Sequence, residues 1–226
     1  MQANRKPLNL IILGAPGAGK GTHSKFIVDT YHIPHISTGD IFRDAISEGT
    51  PMGLKAQEFI SRGELVPDDI TVGIVRERLL KPDAANGFLL DGFPRTLAQA
   101  EALAGMLAER NAAINAVIDV VCQEDVLLRR ITTRRVCPKC GASFNVLTLK
   151  PKVEGVCDYC GAQLIQRRDD TEEAFRTRLS EFHSKTAPLA DYYRSRGVLF
   201  EYDSSDGDVD RGNSLIGAFL DGVVGQ

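Results

Sequence analysis

The sequence predicts an α/β protein, a parallel β-sheet flanked by helices, and three observations carry that expectation. Short apolar runs recur between stretches of helical composition, the alternation that builds a parallel sheet covered on both faces. The first run, LNLIIL at residues 8–13, stops directly on glycine, as a buried strand does where it turns towards a helix. Residues 133–170 then interrupt the alternation with paired cysteines and several glycines, and read as an insert with its own means of support.

Taken in order, the run 8–13 is the first strand and a helix follows over 19–31. Residues 33–37 form a second short strand or extended piece. Over 38–80 helical patterns are cut at Gly49-Thr50-Pro51 and at Arg62-Gly63, which predicts several short helices. The apolar runs 87–90 and 116–122 are further strands, and the Ala- and Leu-rich stretch 97–109 between them favours helix. Residues 198–202 make a last strand, followed by a turn-rich 203–207 and a closing helix.

Composition narrows the class. The chain has 226 residues, 43% hydrophobic and 25% charged, enough for one full-sized domain carrying inserts and unlike a disordered chain. Lys and Arg total 27 against 30 Asp and Glu, so the net charge of −3 argues against a cationic nucleic-acid or membrane coat. Eighteen of those 27 basic residues are Arg, whose planar fork suits phosphate or carboxylate. No apolar run approaches the ~20 residues of a membrane span. Residues 1–7 and the short run after them, with Asn9 inside it, are too polar for a secretory leader, and five cysteines fit a reducing compartment; the expectation is a cytoplasmic protein.

The chemistry begins at GAPGAGKGT, residues 14–22, placed after an apolar strand and at the start of a helix. Glycines let the backbone curl so that Gly17, Ala18, Gly19, Lys20, Gly21 and Thr22 turn their N–H groups towards phosphate oxygens. The helix N-terminus adds partial positive charge, and Lys20 reaches in as a point charge. Gly21 stands where Ser or Thr usually touches magnesium, with Thr22 one residue later, so direct magnesium ligation by this loop is in doubt.

Cys137-Pro-Lys-Cys140-Gly and Cys157-Asp-Tyr-Cys160-Gly are two matching knuckles sixteen residues apart, a strong tetrahedral metal signature. Zinc is the expected ion, although a sulfur-only site also accepts iron. A closed site of four sulfurs leaves no open position and is structural. Cys122, in the run 116–122, is expected as a small buried hydrophobe.

Arginines stand at element ends: Arg43, Arg95, the pairs Arg129/Arg130, Arg134/Arg135 and Arg167/Arg168, then Arg176 and Arg178. An isolated surface arginine is usually only a solvated one. Here one pair enters the cysteine insert and another leaves it, so a hinged flap brings both over bound phosphates. Asp91 ends an apolar run just before Arg95, placed to hold magnesium through its water shell.

Together these segments resemble the adenylate kinase family over almost the whole chain. The residues that carry the resemblance are GAPGAGKGT at 14–22, ISTGD at 36–40 with Arg43, NGFLLDGFPRT at 86–96 with Gln99, Arg134-Arg135-Val136, KPKVEG at 150–155, RRDD at 167–170, and TAPL at 186–189 before Tyr192-Tyr193. The four-cysteine flap is similar to the zinc-bearing, long-lid bacterial form. The resemblance implies a P-loop nucleoside monophosphate kinase fold, with a core of residues 1–36, 67–132 and 171–226, a small helical monophosphate-binding insert at 37–66, and a zinc-stabilised lid at 133–170. It implies that Lys20, Arg130, Arg134, Ser143 and Phe144 join the glycine loop on ATP. Thr38, Arg43, Glu64, Leu65, Val66, Gly92, Phe93, Pro94, Arg95 and Gln99 fall on AMP. Arg167 and Arg178 clamp the transferred phosphates. Implied too are a Mg ion with ATP, the substrates ATP, AMP and ADP, and a monomer with no nucleic-acid or membrane partner.

The expected reaction is then MgATP + AMP ⇌ 2 ADP, with no general base, since a phosphate oxygen is already a nucleophile. His23, His32, His35 and His183 show no triad or metal spacing. Two rivals are a kinase for another monophosphate, such as UMP or CMP, and a nucleic-acid-binding zinc ribbon on an ATPase core. The second should carry exposed aromatics and a basic stripe, and only Phe144 and Tyr159 stand near the knuckles.

Overall fold

A computed structural model describes residues 7–225 of the chain. The reading of residues 1–6 as no secretory leader falls outside them, as does residue 226.

Five parallel strands make one sheet in the order β2 (His35–Ser37), β3 (Gly87–Asp91), β1 (Leu8–Leu13), β4 (Ala116–Val121) and β7 (Leu199–Asp203), with β1 at its centre. All six residues of β1 are buried, because helices cover both faces and no side can turn to water. Its side chains alternate between two cores. Leu10 and Ile12 pack with Ile27 of α1 (Lys20–Tyr31), Leu127 and Ile131 of α6 (Glu124–Thr132), and Ile216 of α9 (Val209–Val224). Ile11 and Leu13 pack with Val75 of α4 (Asp68–Leu79), Leu103 of α5 (Leu97–Ala108), and Leu189 of α8 (Pro188–Arg194).

The elements read from the sequence are found within a residue or two, whereas the helices over 124–132, 172–181 and 188–194 and the short strands inside 133–170 lie outside that reading. The second strand begins at His35, not at residue 33, because Pro34 has no N–H to enter the ladder; its carbonyl accepts from the Leu89 amide at 2.9 Å. Cys122 lies just past the end of β4 and is half-buried against the core, less enclosed than expected. A π-helical turn, Phe182–Thr186, joins α7 (Glu172–Glu181) to α8, a feature the sequence pattern does not announce.

Between β2 (His35–Ser37) and α4, the chain forms α2 (Thr38–Ser47) and α3 (Pro51–Ile60) around a small core of Phe42, Ala56 and Val66. Ser37 caps α2 by accepting from the Asp40 amide at 3.2 Å, and Thr50 with Pro51 starts α3. Gly53 lets these helices touch: a Cβ there would stand 2.1 Å from the Ala45 carbonyl oxygen.

Residues 133–170 carry an antiparallel pair, β5 (Arg134–Val136) with β6 (Ser143–Asn145), and a buried cluster of only Cys137, Phe144, Cys157 and Leu164. No described helix is long and apolar enough to cross a membrane.

Candidate active site and metal centre

Parallel strands all end at one edge of the sheet, and there the functional side chains collect. Leaving β1, the loop from Gly14 to Gly19 turns into α1. Gly19 takes the N-cap position at φ 102° and has no side chain to bond the first amides, which leaves them for an anion. The Lys20 Nζ folds back to donate to the carbonyls of Gly14 (2.7 Å) and Ala15 (3.0 Å). Burial pushes its pKa down to about 8; Asp91 opposes that, while Arg95, Arg178 and Arg134 reinforce it.

At the end of β3, Asp91 accepts from His35 Nε2 at 3.3 Å. Burial raises its carboxyl, but His35, Lys20 and Arg95 outweigh this and hold it below the ordinary carboxylate range. Gly92 follows at φ 79°, its carbonyl accepting from Thr38 Oγ1 (2.9 Å) and Arg95 Nε (2.9 Å). A side chain there would meet Thr38 Oγ1 at 2.8 Å and Arg95 Nη2 at 3.0 Å, so glycine is required. Phe93 is fully buried, and Pro94 lines the cleft with Gly63, Leu65, Lys20, Arg95 and Arg178. Val66 belongs to the small helical core, and Glu64 lies on the surface, paired with Arg62 at 2.8 Å.

Gln99, 1% exposed, uses its Oε1 to accept from the Arg95 amide (2.7 Å) and its Nε2 to donate to Asp68 (2.6 Å). Thr186 Oγ1, on the π turn, donates to the Arg95 carbonyl at 2.9 Å. The backbone of Arg95 is thus gripped from two sides while its guanidinium, held through Nε on the Gly92 carbonyl, lines the cleft.

The remaining cations converge from different elements. Asp40 holds Arg43 by a short hydrogen bond and stands 3.9 Å from Arg167. Asp170, 1% exposed, accepts two hydrogen bonds from Arg134, and Asp169 accepts from Arg178 Nη1 at 3.0 Å. Burial lowers the Arg178 pKa to about 10 despite Asp169, with Arg134 and Arg95 adding repulsion. Arg167 falls to about 10 for the same kind of reason, burial first and then Arg43 and Arg134. Burial is the larger cause in both, and the neighbouring cations add to it while the facing carboxylates offset it only in part. Of the other arginines, Arg129 and Arg168 are exposed and Arg176 is paired on the surface with Glu172 at 2.7 Å; for these the solvated reading holds.

Arg130 donates to the Ser204 carbonyl (2.7 Å), to Ser204 Oγ (3.2 Å) and to Cys122 Sγ (3.5 Å). In the insert, Ser143 is half-buried and Phe144 is packed into the cysteine cluster, 6.1 Å from Tyr159.

Asp119 has no counterpart in the sequence reading. It pairs in register with Glu201 of β7 (Leu199–Asp203) and is 7% exposed; burial, then Glu201, raise its pKa to about 6, against Lys20 and Arg194. A carboxyl raised in the folded state penalises folding above that pKa and is neutral in both states below 3.8. Asp119→Asn should therefore stabilise the protein at pH 8 by up to about 2 kcal/mol. The gain should vanish near pH 4; denaturant titration at the two pH values reads the difference, and an equal effect at both would reject this account.

The four cysteine sulfurs lie within 4.8 Å of one another, with Cys137 Sγ 3.3 Å from Cys160 Sγ and Cys140 Sγ 3.6 Å from Cys157 Sγ. Sulfurs held tetrahedrally at zinc distance stand about 3.8 Å apart, so the set fits one such ion. Both knuckles repeat the same turn: the Cys137 amide donates to Ala142 and the Cys157 amide to Ala162, each at 2.8 Å. Gly141 and Gly161 return the chain at φ 74° and 72°. Burial opposes ionisation of Cys137, but the Cys140 and Lys139 amides and the Cys160 thiol bring its pKa below the usual thiol range.

Sequence reasoning missed His35, Asp40, Asp68, Asp119 and Ser204 as members of this edge. His35 and Asp40 lay inside or beside a quoted motif, and Asp169-Asp170 were quoted without a role. Ser204 and Asp119 carried no motif signal.

A parallel sheet whose central strand ends on a glycine-rich loop at a helix N-terminus, faced by cations from several elements, is the architecture of a P-loop nucleotide-binding protein, and comparison with known proteins places the chain among the nucleoside monophosphate kinases. A family model described as Adenylate kinase matches residues 12–198. The chain is 55% identical over 192 residues to the adenylate kinase of Geobacillus sp. (strain WCH70), covering 85% of this chain and 89% of the relative. It is 54% identical over 198 residues to that of Moorella thermoacetica and 52% identical over 198 residues to that of Archaeoglobus fulgidus, each alignment covering 88% of this chain and 91% of the relative. The chain belongs to the adenylate kinase family.

Proposed function

We propose that the chain transfers the terminal phosphoryl group of MgATP to AMP, reversibly, giving two ADP, and that the residues gathered at the sheet edge divide the work. A phosphate oxygen of AMP attacks the γ-phosphorus in line, forming one P–O bond as the bond to the β-phosphate oxygen breaks. This displacement needs no proton acceptor. Catalysis is positioning and charge neutralisation. The observation that supports this reading is the convergence of Lys20, Arg95, Arg134, Arg167 and Arg178, with Lys20 drawn to about 8 and Arg178 and Arg167 to about 10 by burial and mutual repulsion. A polyphosphate relieves that repulsion.

In this reading the loop 17–22 with Lys20, Arg130, Arg134 and lid residues Ser143 and Phe144 serves ATP. Thr38, Arg43, 64–66, 92–95 and Gln99 serve AMP, while Arg167 and Arg178 serve both. Residues 37–66 act as the monophosphate-binding part and 133–170 as a lid that excludes water on closing. Magnesium, when bound, neutralises the β- and γ-phosphates, and Asp91 would hold it through water. Cys137, Cys140, Cys157 and Cys160 would hold a structural zinc. The protein acts as a cytoplasmic monomer without a nucleic-acid partner.

A coupled spectrophotometric assay with ATP and a panel of monophosphate acceptors tests the assignment. AMP should exceed UMP, CMP and GMP by at least roughly 100-fold in kcat/KM, as site hydrogen bonds left unpaired by the wrong base would require. Equal use of UMP or CMP would overturn it.

A further inference from the structure

Ser204, the first residue after β7, lies 4% exposed where the glycine loop, the end of β4 and α6 meet. Its hydroxyl donates to the Ala18 carbonyl at 2.8 Å, with the Val121 carbonyl at 3.1 Å as a second acceptor. The same oxygen accepts from Arg130 Nη1 at 3.2 Å, its carbonyl accepts from Arg130 Nη2 at 2.7 Å, and its amide donates to the Val121 carbonyl at 2.9 Å. One buried residue therefore ties the phosphate loop, the sheet edge and the Arg130 guanidinium into a single hydrogen-bonded unit.

The unit is braced from behind. Tyr202 Oη donates to the Asp208 carbonyl at 3.1 Å, closing the turn that follows Ser204, and the His23 ring meets Tyr202 edge-on at 5.4 Å while pairing with Asn213 at 2.9 Å. Gly212 is required in that corner, because a Cβ would stand 2.7 Å from both His23 Cε1 and Tyr202 Oη. The position of Ser204 is thus set by α1, β7 and α9 together.

We infer that Ser204 is a positioning residue for the ATP side of the reaction, holding Arg130 and the phosphate loop in fixed relation; the inference rests on the reading that Arg130 serves ATP. A guanidinium bonded by two nitrogens to one residue has a defined plane, which a long flexible side chain otherwise lacks. The Ala18 contact transmits the same constraint to the backbone that faces the phosphates. Arg43, Thr38 and the AMP side share no hydrogen bond with this unit.

Steady-state kinetics with each nucleotide varied in turn, together with calorimetric ATP binding in the absence of AMP, tests it. Ser204→Ala should raise the KM and Kd for ATP roughly five- to tenfold, the size of losing one ordinary hydrogen bond, and leave the KM for AMP within about twofold. In an Arg130→Ala background the same substitution should add little further, since both changes break one unit. If Ser204→Ala fails to fold, Ser204→Cys, close in shape but a poor hydrogen-bonding group, carries the same selective expectation. Equal changes for ATP and AMP, a change in thermal stability alone, or full additivity with Arg130→Ala would overturn the inference. Should Arg130→Ala itself leave ATP binding unchanged, the assignment of Arg130 to ATP is what fails.

Discussion

Arg95→Ala should lower turnover by roughly 10³-fold or more while the melting temperature stays close to that of the parent. Among the described residues the guanidinium makes one hydrogen bond, from Nε to the Gly92 carbonyl at 2.9 Å, and it lies among cations that repel it. Burial pushes its pKa down, with only Asp91 opposing and Arg43 adding to the depression. Removing it thus takes little from the folded state and relieves some repulsion. What disappears is a charge whose backbone is clamped by Gln99 and Thr186 so that it meets the phosphates in a fixed place. Circular dichroism and a melting curve beside the assay separate the two effects. Turnover near that of the parent would sink the assignment, and a collapsed melting curve would show that Arg95 is structural.

Replacing Cys157 and Cys160 by Ser should lower the melting temperature by about 5–10 °C and abolish stoichiometric zinc in the purified protein. The physical reason is the poverty of the insert's own core. Its buried cluster is Cys137, Phe144, Cys157 and Leu164, two of which are themselves ligand candidates, with Val136 the one further buried apolar residue of the insert. One two-stranded ladder of three residue pairs, Arg134↔Asn145 to Val136↔Ser143, and isolated bridges at Val136↔Ile165 and Val156↔Gln163 supply the rest. So small an assembly does not hold by packing alone. Below the transition the variant should still turn over, because the sulfur cluster lies apart from the side chains lining the cleft. Activity lost while the insert remains folded would mean that the metal does more than hold structure.

The legible part of the site was the part written in short range. GAPGAGKGT had to be a turn between strand and helix, since its glycines take left-handed φ at 14, 17 and 19 and Lys20 opens the helix. The cysteine knuckles are likewise local, each closing its own turn with two amide-to-carbonyl bonds, one across five residues and one across four. The continuous apolar runs at 8–13, 87–90 and 116–122 identified central strands, because only a strand covered on both faces can be apolar throughout. Periodicity did not reveal the π turn at Phe182–Thr186, whose contribution is a hydroxyl aimed at Arg95 from 91 residues away. Nor did Pro34 reveal by itself how short β2 would be.

Long-range pairings were invisible for the same reason. Asp68 acquires its role through Gln99, His35 through Asp91, and Ser204 through Ala18 and Arg130; each residue is ordinary in its own neighbourhood of sequence. The arginines show the limit from the other side. Composition flagged eighteen of them and motif order singled out several, yet Arg167 is half-buried 3.9 Å from Asp40 while its neighbour Arg168 is exposed. Which of two adjacent side chains turns inward depends on how the segment leaves the insert and meets α7.

By itself, then, the sequence determined the alternation of strand and helix, the phosphate loop, the metal knuckles and the family, because each is carried by dihedral preference, apolar pattern or spacing within a few residues. Only the tertiary structure decided which cations share one cleft, which carboxylates restrain them, and how far burial shifts their charge. Those quantities depend on distances between residues remote in the chain, and Coulomb and desolvation energies are functions of those distances alone.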